Sequence, residues 1–214
     1  MLAGMHVCVF DLDHTLVRSP LDLAAMAADM RARLEAEHGP LPPRPERYRV
    51  GELIDRCRAD WPALEATLWA IALDHERRAM AHAAIEPGAL QAVTGARRLG
   101  FTTAVWTNNT REVSAMVLER CGLAPHLDLV VTRDEMRALK PDPDGWRVIC
   151  ETFGACPAVV VGDSWVDGLA ATAAGLPFVA YRSDVTELER WKVTPAAAIT
   201  DLAALPAWLG RWRP

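Results

Sequence analysis

The sequence predicts an α/β fold: a doubly wound, mostly parallel, five-stranded Rossmann-like core sheet with an inserted all-helical cap. Three observations predict it. Five short apolar runs recur along the chain, amphipathic stretches separate them, and residues 17–86 carry helical patterns but no convincing strand. Near-continuous apolar runs suit strands covered on both faces, as in a parallel sheet, and strand–helix alternation gives the doubly wound arrangement.

The first strand is "MHVCVF" (5–10). After it the rhythm breaks. Ser19 followed by Pro20 reads as a helix start, with Asp22 in the capping-box position. Leu23, Met26, Ala27, Met30 and Leu34 follow at helical spacing, up to Gly39. "GPLPPRPERYR" (39–49) is a proline-rich linker. A second helix is expected over 51–59. A third starts near Asp60, with Pro62 in its first turn and Leu64, Leu68, Ile71 and Ala72 on one face. Four further strands are expected at 101–106, 127–132, 157–162 and 177–182, with helices at 88–99, 111–121, 144–153 and 165–174. These helices stop at Gly100, Gly122, Gly154 and Gly175, the residue type favoured just past a helix end. The expected division is a core of 1–16 with 87–214, and a helical cap of 17–86.

Composition narrows the function classes. A chain of 214 residues that is 51% hydrophobic can bury a core without disulfides. A net charge of -5 argues against binding nucleic acid through phosphate contacts. No apolar run reaches the length of a membrane span, and the N-terminus lacks the pattern of a secretory signal. The five cysteines (Cys8, Cys57, Cys121, Cys150, Cys156) are odd in number and scattered, which fits reduced thiols in a cytoplasmic protein. Basic residues are almost all Arg; the two lysines are Lys140 and Lys192.

In an open α/β sheet, ligands collect beyond the carboxyl ends of the strands. The first strand ends in Asp11, Asp13 and Thr15, the second in Thr107 and Asn108, and the fourth in Asp163, with Asp167 four residues on. The third leads to Lys140 in "LKPDPDGW". Carboxylates meeting at one rim need a cation, and all-oxygen ligands suit a hard divalent ion, with Mg²⁺ the usual one in phosphate chemistry. A carboxylate placed there is a competent nucleophile, a second carboxyl can exchange protons, and a hydroxyl and an ammonium can hold phosphoryl oxygens.

"DLDHT", "TN", "KPDPDGW" and "GDSWVD", in that order, resemble the four signatures of the haloacid dehalogenase (HAD) superfamily. The helical insert after the first resembles the cap of its phosphoglycolate-phosphatase-like branch. The resemblance implies a Mg²⁺-dependent phosphatase that hydrolyses a small phosphorylated metabolite through an aspartyl-phosphate. By position, Asp11 would be nucleophile and metal ligand, and Asp13 the general acid/base and a ligand through its carbonyl. Thr107, with the amide of Asn108, would bind the phosphoryl group, and Lys140 would stabilise nucleophile and phosphate. Asp163 would ligate the metal, and Asp167 would support or share that role. His14 stands where the family usually has glycine. Its side chain either points out of the loop or touches substrate or cap.

A dehalogenase of this superfamily lacks an acid at the position of Asp13. A phosphonate-cleaving relative needs a cap lysine, and residues 17–86 contain none. A sugar-phosphate mutase shares the four motifs and stays open, as does a non-catalytic phosphate-binding protein. A signalling receiver domain is disfavoured because its lysine comes last along the chain. Arg44, Arg47, Tyr48 and Arg49 are candidates for the leaving group or else a solvated loop. Trp106 and Trp165 wall the pocket or pack in the core, and His75 and His82 are read as surface or packing residues. The expected state is a monomer or homodimer.

Overall fold

The computed structural model describes residues 5–212. The chain runs β1 (His6–Phe10), β2 (Val17–Arg18), α1 (Leu23–His38), α2 (Val50–Asp60), a 3-10 turn (Pro62–Leu64), α3 (Glu65–Ala81), β3 (Ala84–Ile85), α4 (Ala89–Arg98), β4 (Phe101–Trp106) and α5 (Arg111–Arg120). It continues through β5 (Leu129–Val131), α6 (Asp144–Phe153), β6 (Ala158–Gly162), α7 (Trp165–Ala173), β7 (Phe178–Tyr181), α8 (Val185–Arg190), β8 (Ala197–Ile199) and α9 (Leu205–Leu209).

The main sheet has six strands in the order β5-β4-β1-β6-β7-β8, all parallel. The five expected strands are all present. The sixth, β8, corrects the count. It is a three-residue edge strand, Ala-Ala-Ile, only partly buried and paired with β7 through Val179↔Ala197. An edge strand covered less fully needs no apolar run, so its sequence carries no strand pattern. Strand order places β1 between β4 and β6, in register His6↔Phe101 and Cys8↔Val159. Val7 and Val9 are fully buried and share a cluster with Ala104, Val131, Val160, Ile149, Ala170 and Phe178. Burying each such aliphatic side chain stabilises the fold by about 1.5–3 kcal/mol.

The described chain divides into two compact units, Met1–Ser19 with Ala83–Pro214, and Pro20–His82. The second is built on Met26, Met30, Leu34, Leu53, Ile54, Cys57, Leu68 and Ala72, all buried together. Its first helix begins at Leu23, because Asp22 is the cap and accepts from the amides of Ala24 and Ala25 at 2.8 and 2.9 Å. The expected start at Ser19 is therefore three residues early, and the Ser19 hydroxyl is engaged elsewhere. Within the first unit, β2 and β3 pair antiparallel through Val17↔Ile85, two short strands inside the stretch expected to have none.

Glu86 follows β3 and is 2% exposed. Its carboxylate accepts from Tyr181 Oη at 2.6 Å and Arg182 Nη1 at 2.9 Å, and pairs with Arg18 Nε at 3.1 Å. Its amide donates to Leu16 O at 2.9 Å. One carboxylate thus ties both short strands to the end of β7. Burial and the adjoining carboxylate push the Tyr181 phenol up to about 12. All five cysteines are free thiols. Among the described residues, no helix is long and apolar enough to cross a membrane.

Candidate active site

Because β4, β1 and β6 are adjacent and parallel, the residues that follow them share one edge of the sheet. Asp11 follows β1, Thr107 follows β4 and Asp163 follows β6. The Asp11 amide donates to Val161 O at 2.8 Å and the Thr107 amide to Val131 O at 3.0 Å, so the ladder continues under each residue. Asp11 and Thr107 are buried, at 8% and 2% exposure.

Lys140 is the charge that joins the set. Its ammonium donates to Asp11 Oδ1 and to Asp167 Oδ1, each at 2.5 Å, and the residue is 7% exposed. Asp167 lies in the first turn of α7, where its other oxygen accepts from Ser164 Oγ at 2.7 Å and Ser164 N at 3.2 Å. That capping box fixes Asp167 against the sheet. Gly162 makes the approach possible, since a Cβ there would lie 2.6 Å from Asp167 Cβ, Cγ and Oδ2. Thr15 Oγ1 donates to Asp163 Oδ1 at 3.5 Å. Carboxylate oxygens of Asp11, Asp163 and Asp167 all lie within 4.8 Å of one another.

Three carboxyls therefore crowd together beside one ammonium, which bonds two of them, Asp11 and Asp167. Burial and the neighbouring Asp167 push Asp11 up to about 7, against the opposing pull of Lys140. Burial, Asp167 and Asp11 push Asp163 up to about 8. Burial alone would lower Lys140, but Asp11 and Asp167 outweigh it and hold the ammonium above its usual range. The donor set is all carboxylate oxygen at close range, which fits a hard divalent cation.

Asp13 is held apart from this trio. Ser19 Oγ donates to its Oδ1 at 2.5 Å, and Asn109 Nδ2 donates to its Oδ2 at 2.7 Å. Burial raises its pKa, and those two donors oppose the shift. The two acids of "DLD" thus occupy different surroundings although one residue separates them.

The structure also places the other candidates. His14 is exposed and has φ 56°, in the left-handed region that favours glycine and in which His is over-represented among other residues. Trp106 is 1% exposed and donates through Nε1 to Met136 Sδ at 3.1 Å, so it packs in the core. Trp165 stacks on Trp191 with ring centroids 4.1 Å apart. Arg44 lies over the Tyr48 ring at 3.9 Å and bonds the carbonyls of Glu46 and Arg47 at 2.9 and 2.7 Å, while Tyr48 Oη donates to Pro42 O. Those contacts hold the linker itself. His75 Nε2 meets Asp29 Oδ2 at 2.7 Å within the helical unit.

Two contributors to the site carry no functional signal in the sequence. Ser19 was read as a helix start, because Ser-Pro is a strong start signal, and Asn109 carried no signal beyond its place in "TNN". The Asn108 side chain grips the main chain of Lys140, at 2.8 Å to N and 3.1 Å to O, a contact that leaves the expected role of its main-chain amide untouched.

Comparison with known proteins bears on this geometry. The family model of the haloacid dehalogenase-like hydrolases matches residues 5–175. The chain belongs to that family. Curated relatives include the phosphoglycolate phosphatase of Rhodospirillum rubrum, 31% identical over 94% of this chain and 90% of that one. The phosphoglycolate phosphatase of Chromobacterium violaceum is 31% identical over 84% and 86%. Among solved structures, a hydrolase from Pseudomonas syringae superposes with a TM-score of 0.69 at 21% identity, covering 97% of this chain and 99% of that one. That likeness concerns the fold. Membership and relatives together make this HAD-like chain a phosphoric monoester hydrolase in the phosphoglycolate-phosphatase-like branch.

Proposed function

We propose that the chain is a Mg²⁺-dependent phosphatase of a small phosphate monoester that works through an aspartyl-phosphate on Asp11. The observation that carries it is the contrast between Asp11, grouped with Asp163, Asp167 and Lys140, and Asp13, tethered separately by Ser19 and Asn109. That contrast supports attack by one carboxyl and proton exchange by the other. Because curated relatives carry the name phosphoglycolate phosphatase, 2-phosphoglycolate is the first substrate to try.

In this reading an Asp11 carboxylate oxygen attacks phosphorus and the bond to the leaving oxygen breaks. Asp13 gives its proton to that oxygen, and the alcohol departs. Asp13 then takes a proton from water as the water oxygen attacks the same phosphorus. The acyl–phosphate bond breaks, Asp11 is restored and inorganic phosphate leaves. Thr107 and the Asn108 amide hold phosphoryl oxygens, and the Lys140 ammonium offsets the charge that builds there. Asp11, Asp163, Asp167 and the Asp13 carbonyl would hold the Mg²⁺, which supplies charge neutralisation between phosphate and carboxylates. His14, exposed on the loop, is placed here as a residue that meets the substrate. The helical unit is assigned as a cap, and the location as cytoplasmic.

The test is phosphate release from p-nitrophenyl phosphate and 2-phosphoglycolate by the wild type and Asp11→Asn, with EDTA and with added Mg²⁺. Loss of turnover in the folded variant and in EDTA, with recovery on Mg²⁺, is expected. Turnover by Asp11→Asn near the wild-type rate would refute the nucleophile. An isomeric sugar phosphate without free phosphate would make the chain a mutase.

A further inference from the structure

The turn after β4 carries two adjacent asparagine side chains whose contacts point at two different reacting groups. Asn108 Oδ1 accepts from Lys140 N at 2.8 Å, and Asn108 Nδ2 donates to Lys140 O at 3.1 Å. Asn109, 6% exposed, donates through Nδ2 to Asp13 Oδ2 at 2.7 Å. We propose that these are positioning residues, Asn108 for the Lys140 ammonium and Asn109 for the Asp13 carboxyl. Both roles rest on the phosphatase reading of the same site.

Lys140 needs such help because of where it sits. It lies between β5 and α6, in a segment with no regular helix or strand. Its side chain is a flexible four-carbon stem with a point charge at its end. A primary amide that both accepts from and donates to one residue's main chain fixes that residue in position and rotation. The base of the lysine is thereby joined to the end of β4, beside Thr107. Trp106 lies on the other side, with its ring centroid 5.9 Å from Lys140 Nζ. Gly145 leaves room for that ring, since a Cβ there would fall 2.0 Å from Trp106 Nε1. Asparagine suits position 108 because Asp lacks the donor and Ser lacks the second contact.

Asn109 acts on the opposite neighbour. An amide nitrogen donates and does not accept, so the Asp13 oxygen it meets serves as acceptor. Proton exchange is left to Oδ1, where the Ser19 hydroxyl can either donate or accept. The Asn109 main chain is itself fixed, its N–H donating to Thr107 Oγ1 at 3.2 Å and its carbonyl accepting from Arg133 N at 3.1 Å. Asn109 thus sets the orientation of the acid without touching substrate.

The two roles separate by leaving group. Phenyl phosphate needs its leaving oxygen protonated, whereas p-nitrophenolate departs with little help. Asn109→Ala should lower kcat/KM about tenfold or more on phenyl phosphate and less than about threefold on p-nitrophenyl phosphate, since acid catalysis matters most for the poorer leaving group. Asn108→Ala should lower kcat on both esters by a similar factor, because the charge Lys140 offsets is common to both. Melting curves identify variants that fail to fold, and Asn108→Ser and Asn109→Ser then replace them with the same expectations. Equal slowing of both esters by the Asn109 variant, or both variants within about twofold of wild type, would overturn the assignment, given the size expected of acid catalysis. Those results leave the phosphatase reading standing if the wild type hydrolyses the esters and Asp11→Asn does not. A wild type inactive on every ester refutes that reading and this assignment with it.

Discussion

Two buried acid clusters lie beside the carboxyl edge of one sheet, and their charge balance differs. Around Glu86, one carboxylate meets two guanidinium groups and a phenol. At the end of β1, three carboxyls lie together and one ammonium bonds two of them. The first cluster has more donors than it needs and ties main-chain strands together. The second has too few cations and is raised in pKa, with Asp11 at about 7 and Asp163 at about 8. A buried cluster whose carboxylate is fully paired is structural cement. An unbalanced one keeps free energy in reserve for a ligand of opposite charge, which is how strongly shifted groups come to mark functional sites.

The sharpest way to break this contrast is to exchange activity for stability. Asp11→Asn should cost roughly 10³-fold or more in turnover, as loss of a nucleophile does, and should raise the metal-free melting temperature. A fall in both would place Asp11 with Glu86 as a structural acid. Glu86→Ala should do the reverse. Leaving the buried Tyr181 hydroxyl without its acceptor costs about 1–3 kcal/mol, read by denaturant unfolding, while Arg18 and Arg182, more than half exposed, turn to water. A loss below about 1 kcal/mol, the level of a surface pair, would end its role as a clamp.

pH gives a smaller and signed effect. Asp11 and Asp163 titrate in the metal-free fold at about 7 and about 8, against about 3.9 in an unfolded chain. The fold binds their protons more tightly than the unfolded chain does. Their contribution is therefore fully present below about pH 4 and is lost as pH rises through 7 to 8. In EDTA, raising pH from 6 to 9 should lower the melting temperature, and Asp163→Asn should flatten that slope. A slope of opposite sign, or no change in the variant, would contradict the raised values.

Gly162→Ala should destabilise by about 1–3 kcal/mol, the range for an overpacked site, and slow turnover, since its Cβ would lie 2.6 Å from Asp167. The smallest effect is expected at His14. Glycine there removes the steric cost of a left-handed residue at φ 56° and should stabilise by about 1 kcal/mol. A net loss would mean that the imidazole makes a contact worth more than the strain.

The two clusters also differ in how far the sequence revealed them. Asp11, Asp13, Thr107, Lys140, Asp163 and Asp167 could be gathered beforehand, because apolar runs of period and length suited to a parallel sheet deliver strand ends to one rim. Strands β1, β4, β5, β6 and β7 were legible for the same reason. Glu86 was not, since a lone acid beside Pro87 has no periodicity and its partners lie at Arg18 and at Tyr181–Arg182. Ser19 and Asn109 failed similarly. Their side chains act on Asp13, Ser19 from six residues away and Asn109 from 96, and no periodic pattern records either hydrogen bond. β8 was missed because three partly exposed residues of an edge strand carry neither alternation nor an apolar run.

The central claim is that Asp11, and not water, attacks phosphorus first. A single turnover with enzyme in excess over substrate, stopped before the phosphoryl group is released, tests it most directly. Acid-quenched enzyme from the first milliseconds, reduced with borohydride and digested, should therefore show the acyl-phosphate trapped as homoserine at position 11. Phosphate release with no trapped residue at any time, or trapping at another side chain, would contradict it.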